Sequence, residues 1–281
     1  MRFPPRAGWL LPQHWGFLPH LKRSPLTTFD SVAVVGALRL QCRLQYDQRT
    51  RFWSEFLSNT GRPAHKWTHY FPAYERHLER FVNQPVTLLE IGCGRGGSLQ
   101  LWKRCLGPFA RIVGVDIDQR CSSFEESQIE VRIGDQSDPG FLASLVDEFA
   151  PLDVVIDDGS HVMSHICASF DALYPHTTGV YVVEDLHTAY WPEFGGSLGG
   201  HTFIERAKAL IDELHADYTH GALAPTSFSQ STLSIHVYDS LIVFEKGRHV
   251  HKHAPIIGAE PADRRAAYRR AARRLITAFK P

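Results

Sequence analysis

From residue 86 the chain alternates short apolar runs with longer stretches of helical spacing, and this rhythm constrains the fold more than any other feature. VTLLEI (86–91), RIVGVDI (111–117), QIEVRIG (128–134), LDVVID (152–157) and VYVVED (180–185) read as strands. SLQLWKRCL (98–106), FLASLVDEF (141–149), HVMSHICASFDALY (161–174) and HTFIERAKALIDELHADY (201–218) read as helices. Strands that alternate with helices form a parallel sheet covered on both faces, with right-handed crossovers. The last two apolar runs, STLSIHVYD (231–239) and LIVFEK (241–246), leave no room for a helix between them and must pair as an antiparallel hairpin. The expected fold is α/β: a doubly wound, seven-stranded, mostly parallel sheet that ends in an antiparallel hairpin.

The flanks differ from this core. Residues 1–29 hold five prolines, four Lys or Arg and no acid. The prolines break any amphipathic helix and no continuous apolar core is present, so 1–30 reads as an irregular arm rather than a targeting peptide. Residues 31–80 read as a helical cap, carried by RTRFWSEFL and FPAYERHLERF, and 81–250 as the main domain. Residues 251–281 read as a loop and a basic helix with six arginines between Arg264 and Arg274, a solvated face.

Thirty basic and thirty acidic residues give no global attraction to nucleic acid or anionic membrane. No apolar run reaches the ~20 residues needed to cross a bilayer. Five scattered cysteines without a CxxC pair read as reduced thiols, which fits a cytoplasmic protein.

A glycine loop, EIGCGRGGS (90–98), joins the first strand to the first helix. Its glycines let the backbone turn sharply and approach a ligand, and the new helix points free N–H groups at it. Two fingerprints fit. Gly92, Gly94 and Gly97 make GxGxxG, the dinucleotide signature; Glu90, Gly92, Gly94 and Gly96 make ExGxGxG, the loop of class I S-adenosylmethionine-dependent methyltransferases. Asp116, at the end of the second strand, suits either as the acid for ribose hydroxyls. Glu90, the Gly134-Asp135-Gln136 turn after the third strand and the terminal hairpin favour methyl transfer.

Ligands of open α/β sheets sit outside the carboxyl ends of the strands. The fourth and fifth strands end in Asp157-Asp158 and Glu184-Asp185. Neighbouring strands lie ~4.8 Å apart, so these carboxylates converge and repel unless a cation joins them. A hard divalent ion with oxygen ligands, Mg²⁺, meets that need. His161 follows three residues after Asp158, in the first turn of the next helix with Ser160 as N-cap. A helix N-terminus and a neighbouring cation both disfavour imidazolium, which suits a general base. His249, His251 and His253 form an HxHxH run that reads as solvated loop histidines.

Lys66 to Lys246 resembles the metal-dependent sugar O-methyltransferases of antibiotic biosynthesis that act on macrolide and tetracenomycin deoxysugars. The resemblance rests on KWTHYFPAYERHL (66–78), EIGCGRGGS, GVDID, GDQ, VIDDGSH, YVVEDLHTAYWPEFGG (181–196) and YDSLIVFEK (238–246). It implies Asp158, Glu184 and Asp185 as Mg²⁺ ligands, His161 as catalytic base and Asp116 as ribose acid. The cofactor side of the site comprises Glu90, Gly92, Gly94, Gly96, Ser98, Asp116, Asp135, Gln136 and Asp157, although Asp157 inherits no defined role. Tyr190 and Trp191 are the acceptor candidates, in a loop with a Gly195-Gly196 hinge. Trp67, Tyr70 and Tyr74 either close the site or pack the core. The chain is too short for the long auxiliary domain of some members, which leaves oligomerisation open.

The expected function is methyl transfer from S-adenosylmethionine to a sugar hydroxyl of a glycosylated natural product, with Mg²⁺ chelating the sugar diol. A catechol or phenol O-methyltransferase, an NAD(P)-dependent oxidoreductase and a catalytically silent binding module are the other readings.

Overall fold

The computed structural model describes residues 50–249, 252–258 and 268–269. Expectations for the N-terminal arm, for residues 31–49, for His251 and for most of the basic C-terminal helix lie outside them. Packing of the chain divides it at Gly247, with Arg248 onward forming a second unit.

Val154, Val155 and Ile156 are all fully buried. Three consecutive buried side chains require a strand covered on both faces, and theirs is the centre of the sheet. The strands are β1 (Thr87–Ile91), β2 (Arg111–Asp116), β3 (Ile129–Ile133), β4 (Leu152–Asp157), β5 (Thr177–Val183), β6 (Thr232–Tyr238) and β7 (Leu241–Lys246). They lie in the order β3-β2-β1-β4-β5-β7-β6. The first five run parallel; β7 is antiparallel to β5 and pairs with β6 as a hairpin. The expected seven-stranded sheet with its antiparallel terminal pair is the observed one.

The helices are α1 (Arg51–Leu57), α2 (Phe71–Leu78), α3 (Gly97–Leu106), α4 (Pro139–Phe149), α5 (Met163–Leu173), α6 (Phe203–Leu214) and α7 (Ser227–Ser231). Side-chain alternation divides the core in two. Leu88, Val154 and Ile156 face one cluster, which Phe52, Trp53, Tyr70, Tyr74 and Trp102 complete. Leu89, Val155 and Tyr181 face the other, with Phe170, Phe203 and Phe244. α1 and α2 thus belong to the first apolar layer, and this packing carries the segment between them to the carboxyl ends of β1, β4 and β5.

Several boundaries differ from the sequence reading. β5 begins at Thr177 because Thr177-Thr178-Gly179 lacks an apolar signal yet pairs beside Leu152 through a register shift. It ends at Val183, so Glu184 and Asp185 stand beyond the strand, and Asp185 adopts a left-handed conformation (φ 52°). α6 starts after Thr202, whose hydroxyl accepts from the Glu205 amide, and ends four residues before Tyr218. α5 starts at Met163, which moves His161 out of the helix.

Candidate active site

Gly92 is where the glycine loop meets the exit of β4. A Cβ there would lie 2.1 Å from the Asp158 carbonyl oxygen, and φ is +84°; only glycine fits. The loop then turns toward β2: the Gly94 amide donates to Asp116 Oδ2 (2.8 Å), and the Asp118 amide to Asp116 Oδ1 (3.0 Å). Asp116 is thereby held against the loop, at the cavity wall. Glu90 is fully buried and accepts from Ser98 Oγ (2.6 Å) in the first turn of α3.

Asp157 and Asp158, adjacent in sequence, face opposite environments. Asp157 is buried, accepting from Gln136 Nε2 (3.1 Å) and from the Ser169 hydroxyl. Burial pushes its pKa up to about 6, against the bonds from Ser169 and Gln136. Gln136 in turn accepts from the Ser160 amide (2.6 Å). Asp157 and Gln136 therefore brace the 158–161 turn from beneath, and neither lines the cavity. Asp135 accepts from Ser137 (2.8 and 2.7 Å) and also lies off the cavity wall.

Asp158 faces the cavity, and its Oδ2 accepts from Lys66 Nζ at 2.8 Å. Lys66 also donates to Glu90 Oε1 (3.1 Å) and to both oxygens of Glu184 (3.2 and 3.1 Å). Burial alone would lower the lysine pKa. Asp158, Glu184 and Glu90 outweigh it and raise it well above the usual lysine range, so the ammonium stays charged. In the sequence Lys66 stands only as the first residue of KWTHYFPAYERHL, with no local signal for these contacts.

Two tyrosines from the same segment complete the polar shell. Tyr70 donates to Asp185 Oδ1 (2.8 Å), and Tyr74 to Glu184 Oε1 (2.7 Å). Both are buried, and burial together with the facing carboxylate raises both phenol pKa values, so each remains a donor. Tyr70 and Tyr74 therefore pack in the core and reach the site only through their hydroxyls, whereas Trp67 lines the cavity.

His161 sits two residues before α5, with φ 60°, and Val162 is the N-cap. The helix-terminus argument for its protonation state therefore does not apply. Its carbonyl accepts from Thr188 Oγ1 (3.2 Å), and its Nε2 lies 3.8 Å from Asp185 Oδ2. Asp158, His161 and Asp185 each offer a ligand atom, all within 4.8 Å of one another. Two carboxylates at this spacing suit a hard divalent cation, with the imidazole beside it. Glu184 is outside the group because its oxygens point to Lys66 and Tyr74.

These residues open into one cavity of about 670 Å³, lined at one end by Gly92, Gly94 and Asp116 and at the other by Asp158, His161 and Asp185. Trp67 and Phe194 line it too; Tyr190 and Trp191 do not. Tyr190 is half exposed, and Trp191 packs on His187 (4.8 Å between ring centroids) and on Phe194 (5.9 Å). Gly195 closes the turn through Phe194 with φ 74°.

A β3-β2-β1-β4-β5-β7-β6 sheet, with a glycine loop after β1 and an acid closing β2, defines a class I methyltransferase fold. The antiparallel β7 stands where a dinucleotide-binding oxidoreductase would continue its second parallel half. The chain belongs, more narrowly, to the family of sugar O-methyltransferases of macrolide and tetracenomycin biosynthesis. It is 40% identical over 218 residues to demethylmacrocin O-methyltransferase of Streptomyces fradiae, covering 70% of this chain and 54% of that protein. It is 39% identical over 212 residues to 8-demethyl-8-(2-methoxy-alpha-L-rhamnosyl)-tetracenomycin-C 3'-O-methyltransferase of Streptomyces olivaceus, with the same coverage. The MycE methyltransferase from the mycinamycin biosynthetic pathway, solved in complex with Mg, SAH and mycinamycin VI, superposes with a TM-score of 0.64. That match has 30% identity and covers 89% of this chain and 68% of MycE. The chain spans about half the length of the curated relatives it matches. No family model matches. Among the described residues no helix is long and apolar enough to cross a membrane.

Proposed function

We propose that the protein transfers a methyl group from S-adenosylmethionine to a sugar hydroxyl of a glycosylated natural product. One observation carries this reading: the glycine loop with Asp116, and the Asp158–His161–Asp185 cluster, line the same cavity. A cofactor held at the first end presents its methyl group to an acceptor held at the second. The relatives named above, O-methyltransferases of demethylmacrocin and of a rhamnosyl-tetracenomycin, support the acceptor class.

The Gly92–Ser98 loop and the N-terminus of α3 bind the methionine part of the cofactor, and Asp116 takes the ribose hydroxyls. Glu90, Asp157 and Gln136 position these elements from below. Asp158 and Asp185 would hold Mg²⁺, a fit supported by their spacing and oxygen chemistry; when bound, the ion polarises the sugar hydroxyls and lowers their pKa. The family resemblance adds Glu184 as a ligand. His161 Nε2 accepts the proton of the acceptor hydroxyl as its oxygen forms the bond to the methyl carbon. The carbon–sulfur bond breaks in the same step, leaving a neutral thioether. Trp67 and Phe194 offer apolar surface to the acceptor, with Tyr190 and Trp191 further out on the same loop. A cytoplasmic enzyme acting on a small glycoside, without a nucleic-acid or membrane partner, completes the reading.

The test is incubation with labelled S-adenosylmethionine and a panel of glycosides and catechols. Label in a glycoside as a methyl ether is the expected result. Label confined to catechols would transfer the site to the phenol class. Thermal stabilisation by NAD(P)H but not by S-adenosylhomocysteine would refute the methyl-transfer reading.

A further inference from the structure

A second group of ligand-type side chains lies at the sheet edge, away from the cavity. His77, His236 and Glu245 each offer an atom within 4.8 Å of the other two, and none of them lines the cavity. Three elements bring them together. His77 stands near the end of α2, His236 on the edge strand β6 and Glu245 on β7. Glu245 pairs with Ser234, two residues before His236, so Glu245 and His236 share the sheet face that α2 covers. His77 is 2% exposed; its Nδ1 meets Glu245 Oε1 at 2.5 Å and its Nε2 meets the Tyr238 hydroxyl at 2.9 Å. The His236 ring centroid lies 4.5 Å from that of His77, and its Nε2 meets Ser234 Oγ at 2.9 Å. The cations facing the group are Arg80, which pairs with the other oxygen of Glu245 (2.5 Å), and Arg76. Both arginines are exposed, so solvent screens them.

We propose that His77, His236 and Glu245 bind a zinc ion that ties α2 to the β6–β7 hairpin. Two imidazoles and a carboxylate form a zinc ligand set with water in the fourth position, and nitrogen donors favour zinc over magnesium. Ligand atoms around tetrahedral zinc lie roughly 3.3 Å apart, so the group needs side-chain adjustments of only about 1 Å. The ion takes the place of the proton between His77 Nδ1 and Glu245 Oε1. That proton moves to Nε2, which then donates to the Tyr238 hydroxyl and fixes the ring. His77 follows Tyr74 by three residues on α2, so the tie also steadies the helix that carries Tyr74 to Glu184. The site is independent of the methyl-transfer reading.

The experiment titrates Zn²⁺ by calorimetry into the full chain held in excess Mg²⁺ and S-adenosylhomocysteine, which keep the cavity occupied. The visible absorption of Co²⁺ at the same site reads the ligand geometry, and melting temperature reads the tie between α2 and the hairpin. Wild type is expected to bind Zn²⁺, to show the bands of tetrahedral Co²⁺ and to melt at a higher temperature with zinc than without it. His236→Gln, on the partly exposed edge strand, is expected to bind at least tenfold more weakly and to lose both other signatures. Glu245→Gln gives the same loss and decides the matter where His236→Gln does not fold. Wild type that takes up no Zn²⁺ under these conditions overturns the inference. So does a folded His236→Gln or Glu245→Gln that binds as tightly as wild type, since the ion would then sit elsewhere, as on His249 and His253. Either failure leaves the methyl-transfer reading standing.

Discussion

The Tyr70 hydroxyl donates to Asp185 Oδ1 at 2.8 Å and lies 3.2 Å from the Asp185 amide, so one side chain fixes both the carboxylate and the left-handed backbone beneath it. Tyr70→Phe leaves the ring packing intact and removes both contacts. Metal affinity is expected to fall roughly 10–100-fold, the usual effect of losing a group that orients a ligand. Stability should drop by about 1–3 kcal/mol, because a buried acceptor loses its donor. Urea denaturation and a Mn²⁺ titration check the two effects, while S-adenosylhomocysteine affinity should hold.

Gly92→Ala tests the contact between the glycine loop and the β4 exit. A methyl group 2.1 Å from the Asp158 carbonyl must displace backbone, and φ of +84° disfavours alanine as well. Because the displaced turn carries Asp158 to His161, both ligand affinities should fall together. Calorimetry that shows weakened S-adenosylhomocysteine binding beside an unchanged metal site would contradict this coupling.

His161→Ala separates a base from a metal ligand. As a base, its loss should lower turnover by about 10²–10⁴-fold, with Mn²⁺ and S-adenosylhomocysteine affinities within threefold of wild type. A tenfold loss of Mn²⁺ affinity would reassign His161 to the metal.

Lys246 gives a pH signature remote from the cavity. It is 7% exposed and donates to the Tyr174 carbonyl, and burial lowers its pKa to about 8. Between that value and the unfolded pKa of about 10.4, the unfolded chain binds more protons than the folded one. Stability contributed by this group therefore rises with pH across that window and is lost as pH falls through it. Urea denaturation at pH 7.5 and 9.5 should show the rise in wild type and its loss in Lys246→Met.

Much of this architecture could be read from the chain. The strand-helix rhythm predicted the sheet, and the absence of room between Tyr238 and Leu241 predicted the hairpin. The acids that end β4 and follow β5 were expected to converge, and the structure brings Asp158 and Asp185 together beside His161. What escaped was whatever depends on long-range approach. Lys66 meets Glu90, Asp158 and Glu184 from a segment with no local signal for the encounter, and the aromatic spacing of Tyr70 and Tyr74 is the same for core packing as for donation to a carboxylate. Asp157 and Asp158 look equivalent in sequence; strand alternation turns one inward to Gln136 and Ser169 and leaves the other at the cavity. His161 was expected in a helix because its neighbours have helical spacing, and the left-handed turn that removes it has no glycine to announce it. Phe194 was one aromatic among several, and only the folded loop shows that it, rather than Tyr190 or Trp191, reaches the wall.

On the proposed function, Asp158 holds a divalent ion required for methyl transfer to a sugar hydroxyl. The most direct measurement compares wild type and Asp158→Asn for transfer of labelled methyl to a glycoside acceptor, each in Mg²⁺ and in EDTA, with S-adenosylhomocysteine binding measured in parallel. Product is expected only for wild type in Mg²⁺, with S-adenosylhomocysteine bound about equally by both proteins. Equal product from wild type in EDTA, or from Asp158→Asn in Mg²⁺, would contradict it.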